Sequence, residues 1–83
     1  MERTILDICR TVNPNVPDDV SVLLFDEGYI DSFGAYAILV QLELEFKIEI
    51  GESDLNYENF KCMKNIMELV NKKRENYNGR NKE

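Results

Sequence analysis

Eighty-three residues make one small domain, of which 43 % are apolar and 31 % charged, with a formal net charge of −6. Histidine is absent, and the two cysteines, Cys9 and Cys62, stand without CxxC spacing. This excludes the Ser-His-Asp and Cys-His nucleophile systems, the commonest zinc ligand, zinc ribbons and paired-thiol redox chemistry. The acidic balance argues against nucleic acid, whose phosphates need gathered Lys and Arg, and no apolar run approaches the roughly eighteen residues of a membrane span.

Charge is unevenly placed. Residues 1–71 hold fourteen acids and five basic residues, a balance of −9, whereas residues 72–83 hold five basic residues and two acids, a balance of +3. An acidic body suits partners with a basic docking patch and favours electrostatic steering of their encounter. Met1-Glu2-Arg3-Thr4 opens a charged amphipathic stretch rather than a signal peptide, so a cytoplasmic location is expected.

Ile5, Ile8, Cys9 and Val12 recur at helical spacing and predict a first helix from about Glu2 to Val12, with Cys9 as a small core residue. Pro14 and Pro17 end it. From Asn13 to Asp31 no periodicity is sustained. Val20, Val22, Leu23, Leu24 and Phe25 would anchor this long connection, with a short helical turn near Asp18–Leu23 and a turn at Asp26-Glu27-Gly28.

Ser32 to Phe46 reads as a helix with two apolar stripes. Phe33, Tyr36, Ala37, Val40 and Leu44 point one way, and Ala35, Ile38, Leu39, Leu42 and Phe46 the other. A helix at the edge of a small bundle needs one stripe for its core. The first stripe, with Glu43 beside it, is therefore the candidate partner-binding face. Lys47 to Gly51 reads as an extended exit with Ile48 and Ile50 inward, Glu52 to Phe60 as a short irregular helix, and Met63 to Arg74 as the last helix. Residues 1–75 form the domain, and residues 76–83 are expected to be a disordered polar tail.

Asp31-Ser32 stands where the long connection meets the two-striped helix. Either residue suits an N-cap, although Ala35 gives Ser32 no capping box. A serine hydroxyl at a helix N-terminus also lies in a field that favours a phosphate. Gly34, lacking a side chain, would keep the approach open.

At these residues the chain resembles the phosphopantetheine-binding carrier proteins, whose hallmark is an Asp-Ser-hydrophobic triplet opening the second helix of a four-helix bundle, here Asp31-Ser32-Phe33. The resemblance extends from about Leu24 to Val70. It implies an all-α four-helix bundle of the acyl-carrier type, with three main helices, one short helix and a long first loop. It implies 4′-phosphopantetheine on Ser32, attached from coenzyme A by a magnesium-dependent phosphopantetheinyl transferase, with Asp31 positioning metal and coenzyme A. The arm would carry an acyl or amino-acyl group as a thioester, loaded by a ligase and delivered to downstream acyl-transfer or synthase enzymes. The chain itself would be a non-catalytic monomer. Gly28-Tyr29-Ile30-Asp31-Ser32, with Phe33-Gly34 after it, looks most like the stand-alone D-alanyl carriers. Cys62 in place of a commoner Ser or Thr cap, Ala37 in place of a frequent acid, and the basic tail depart from that pattern. The alternative is a small acidic helical interaction module in which Ser32 is only a cap.

Overall fold

The computed structural model describes the backbone of residues 1–81 and the side chains of residues 1–75. Helix α1 spans Glu2–Val12, α2 Ser32–Phe46, the short α3 Tyr57–Phe60 and α4 Met63–Asn81, with a 3-10 turn at Glu52–Asp54 before α3. Among the described residues there is no strand, and no helix is long and apolar enough to cross a membrane. This is the all-α, acyl-carrier-like arrangement of three main helices and one short helix expected from the resemblance.

The predicted inward faces meet in one core. Ile5, Leu24, Ile38, Leu42, Phe60, Met63, Ile66 and Val70 are fully buried, drawn from α1, the long loop, α2, α3 and α4. Cys9 is buried among them, and burial pushes its thiol up to about 11, as befits an unreactive core residue. Cys62 is also buried, and its thiol donates to Asn65 Oδ1 at 3.3 Å beside the start of α4.

The loop from Asn13 to Asp31 is held throughout its length. Val16, Leu24 and Ile30 are buried, with Val20, Phe25 and Tyr29 packed partly against the core. The helical turn expected near Asp18–Leu23 is reduced to one turn, Val22 N–H donating to Asp19 O at 3.2 Å, and does not grow into a helix. Asp19 Oδ1 instead accepts from both the backbone N–H and the hydroxyl of Ser21, an Asx turn that competes with helix and lowers the Asp19 pKa. The turn at residues 24–28 closes by a Schellman pattern, Tyr29 N–H donating to Leu24 O and Gly28 N–H to Phe25 O. Gly28 sits at φ +79 there, which explains the glycine. Leu24 N–H donates to Lys61 O and Lys64 N–H to Val20 O, so the loop is stitched to the α3–α4 corner. Tyr57 adds a side-chain tie, donating to Asp26 Oδ1 at 2.5 Å, with its ring 5.8 Å from that of Phe25.

Lys47 ends α2 in the left-handed conformation, φ 54 and ψ 52, and its N–H donates to Glu43 O. Ile48 and Ile50 then turn inward, as the alternating pattern suggests. Helix α4 runs to Asn81 rather than stopping at Arg74. Lys72, Lys73, Arg74 and Glu75 are good helix formers, so nothing in them stops the helix. Of the tail expected to be disordered, residues 76–81 continue this helix; their side chains, and all of residues 82–83, lie outside the described residues.

Asp54 ties the 3-10 turn to α4, accepting from Lys73 Nζ at 2.7 Å and from Gly51 N–H at 3.1 Å. Both partners of the ion pair are largely covered, at 22 % and 23 % exposure, and the bond from Lys73 is the main cause of a lowered Asp54 pKa. Folding lowers this pKa, so the unfolded chain binds more protons at acid pH. The stabilisation is complete above the ordinary carboxylate range and is lost as pH falls through the folded value. Asp54→Asn is expected to lose roughly 0.5–1 kcal/mol at neutral pH. In urea unfolding at neutral pH and near pH 3, the gap between the two proteins should close at the acid end.

Candidate functional site

Helix α2 begins because Asp31 caps it. Asp31 is extended, and its Oδ1 accepts the N–H of Gly34 at 2.8 Å, while its carbonyl accepts from Ala35 N–H at 2.9 Å. Of the two residues able to cap, Asp31 takes the role and Ser32 becomes the first residue of the helix. The cap role considered for Ser32 is thereby corrected. Ser32 is exposed, and among the described residues its hydroxyl enters no hydrogen bond. The backbone N–H groups of Ser32 and Phe33, in the first turn, gain no partner from the Asp31 carboxylate.

Gly34 does not keep an approach open. It is buried, and a Cβ there would stand 3.0 Å from Val12 Cγ1 and 3.4 Å from Ile30 Cβ. The glycine lets the end of α1 and the loop close against the first turn of α2.

The outward stripe of α2 begins beside Ser32. Phe33 is 87 % exposed, Tyr36 58 % and Leu44 75 %, whereas Ala37 and Val40 are half-buried and Val40 packs partly against the core. Glu43 behaves differently from this group. Its Oε2 accepts from Ile50 N–H at 2.8 Å and its carbonyl from Ile48 N–H at 3.3 Å, so it fastens the exit of α2. One of its carboxylate oxygens is thereby engaged within the chain. Exposed acids stand near both ends of α2, Asp31 at its cap and Glu45 in its last turn.

On the α1 side of the serine lies an open depression of about 750 Å³, lined by Val12, Asn13, Tyr29, Asp31, Ala37 and Gln41 among others. Two polar ties that sequence reading did not find cross this side. Asn13 Nδ2 donates to Tyr29 O at 3.1 Å, and Gln41 Nε2 donates to Thr11 Oγ1 at 2.7 Å. Asn13 at the end of a helix before Pro14 announces a cap, but its partner sixteen residues on has no local signal. Among the described residues, no group of His, Cys, Asp and Glu is arranged to hold a metal ion.

No family model matches the chain, and no solved structure gives a significant match. Curated relatives do match. The D-alanyl carrier protein of Lactococcus lactis subsp. lactis (strain IL1403) is 31 % identical over 77 residues, covering 90 % of this chain and 98 % of that protein. The D-alanyl carrier protein of Lactococcus lactis subsp. cremoris (strain MG1363) is 31 % identical over 75 residues, covering 88 % and 95 %. The D-alanyl carrier protein of Bacillus mycoides (strain KBAB4) is 37 % identical over 54 residues, covering 63 % and 68 %. Identity of this order along nearly the whole chain, on the expected helical fold, makes this chain a member of the D-alanyl carrier protein family, whose members are non-catalytic carriers rather than enzymes.

Proposed function

We propose that the chain carries an amino-acyl group, D-alanyl by its relatives' name, as a thioester on a 4′-phosphopantetheine arm attached to Ser32. The observation that carries this reading is the division of labour at the start of α2. Asp31 supplies the cap, and Ser32 is left exposed with an unengaged hydroxyl at the first helical position. The residues present fit the group. A phosphodiester on Ser32 would lie beside the uncapped N–H groups of the first turn and the positive end of the α2 dipole.

In the attachment step Ser32 Oγ bonds to the phosphorus of coenzyme A, the phosphoanhydride bond breaks and adenosine 3′,5′-bisphosphate leaves with the electron pair. The serine proton passes to a base on the transferase. Asp31 stands next to Ser32 with one oxygen on Gly34 N–H and is the group we assign to metal and coenzyme A in that encounter. The bound arm supplies a thiol that holds the cargo, so Cys9 and Cys62 have no part in the chemistry. The exposed Phe33, Tyr36 and Leu44, with Ala37 and Val40 between them, are the face we assign to the transferase, the loading ligase and the downstream acceptor enzymes. We place the carrier in the cytoplasm, where coenzyme A is available to the transferase.

Intact mass after incubation with coenzyme A, magnesium and a broad-specificity phosphopantetheinyl transferase tests the reading. Wild-type chain should gain one phosphopantetheine unit and Ser32→Ala none. Because Asp31 and not Ser32 is the cap, Ser32→Ala should change stability by less than about 0.5 kcal/mol, whereas Asp31→Ala should cost about 0.5–2 kcal/mol. A wild-type chain that stays unmodified by a transferase active on a control carrier would falsify the proposal.

The face is tested at its most exposed members. Leu44→Glu and Phe33→Glu are expected to keep the helical circular dichroism and melting temperature of the parent while raising KM for the transferase about tenfold or more. Val40 is a poorer probe, since its contact with the core would add a folding defect. Unchanged kinetics in both variants would remove this stripe from the partner surface.

A further inference from the structure

Two contacts bracket Ser32 from the side of α1. Three residues before it, the Tyr29 carbonyl accepts Asn13 Nδ2 at 3.1 Å. Two residues after it, Gly34 lies so close to Val12 that a Cβ would stand 3.0 Å from Val12 Cγ1. Asn13 is itself fixed. Its N–H donates to Cys9 O at 3.0 Å, closing α1, and its Oδ1 accepts from Asn15 N–H at 2.9 Å. Its carboxamide is thus held from behind while it grips the loop in front. Among the described residues, it makes the hydrogen bond that ties residues 24–31 to α1. The remaining ties of that loop run to itself, to the α3–α4 corner and, from Asp31, to the first turn of α2.

We propose that Asn13 is a positioning residue for arm attachment: through the Tyr29 carbonyl it steadies the loop that carries the Asp31 cap, and with it the first turn of α2 on which the Ser32 hydroxyl stands. The inference rests on the reading of Ser32 as the attachment point. Its physical basis is that a partner enzyme grips α2 while its reacting atoms meet a hydroxyl at the extreme end of that helix. A first turn free to fray, so that its hydroxyl shifts by about 1 Å, keeps the affinity of α2 and loses rate, since displacements of that size can cost up to about a hundredfold. The Thr11–Gln41 bond joins the same two helices about 14 Å further along α2, at 1.5 Å per residue, too far to govern the serine.

The experiment compares Asn13→Ala, Asn13→Asp and Thr11→Ala with the full wild-type chain. Asn13→Asp retains the acceptor for Asn15 N–H and removes the donor to Tyr29. Rates of mass gain with coenzyme A, magnesium and the transferase are measured over a range of carrier concentrations, and amide hydrogen exchange is followed over residues 29–35. Both Asn13 variants are expected to lower kcat roughly tenfold with KM unchanged, and to speed exchange at Gly34 and Ala35, whose N–H groups Asp31 holds. Thr11→Ala should leave both readouts as in wild type. The proposal is overturned if Asn13→Asp keeps wild-type kcat, if Thr11→Ala loses as much, or if the loss falls in KM. Absence of any mass gain on the wild-type chain overturns the carrier reading itself and this inference with it, so the two failures are told apart.

Discussion

A core built from 83 residues covers α2 on one side only. Ile38 and Leu42 on that side are fully buried and Ala35 and Leu39 nearly so, while Phe33 and Leu44 on the other are among the most exposed large apolar side chains described. The helix is therefore apolar almost all round without being enclosed, a state that a solvated surface helix avoids. Everything near the site follows from this asymmetry. The covered side fixes the rotation of α2 about its axis, and that rotation holds the outward stripe and the serine end in one constant relation. The Asp31 cap then sets where the helix begins and hence which residue is first.

The long loop takes on a meaning from the same constraint. Nineteen residues between two helices would ordinarily be mobile or would pack as an extra element. Here Val16, Leu24 and Ile30 sink into the core at intervals, and between them hydrogen bonds run back to Lys61, Lys64, Tyr57 and Asn13. The backbone is tethered at intervals along its length, yet its last step delivers an exposed Asp-Ser pair. A loop so firmly held has little left to do but present its end.

The helices and their inward faces were legible because helical spacing of apolar residues is a local signal. Ile5, Ile8 and Cys9 gave α1 its bounds, and the two stripes of α2 needed only the 100° step. The alternation at Ile48 and Ile50 correctly announced an inward-facing exit without a strand. What escaped the sequence were contacts whose partners lie far away or whose residue types permit several roles. Gly34 read as an open approach and is instead the close seat of Val12. Glu43 read as a surface acid and fastens Ile50. Lys47 carries no glycine-like signal, yet it adopts the left-handed cap. The Asp31-Ser32 ambiguity could not be settled from residue preference, since both side chains cap well; backbone geometry decides it.

The distribution of perturbed ionisation fits a carrier. Asp19, Asp54, Tyr57, Lys61 and Cys9 are shifted, and each shift has a cause in a turn, a tie between elements or burial. In an active site such shifts gather around the reacting atoms; here they serve the scaffold. What the chain contributes is presentation, and presentation opposes stability. Covering a phenylalanine side chain stabilises a fold by about 1.5–3 kcal/mol. Phe33, next to the serine and 87 % exposed, forgoes nearly all of it in a domain with little to spare. A side chain that expensive to expose is kept out of the core by the start of α2, and under the proposed function the advantage that offsets its cost lies in what docks there.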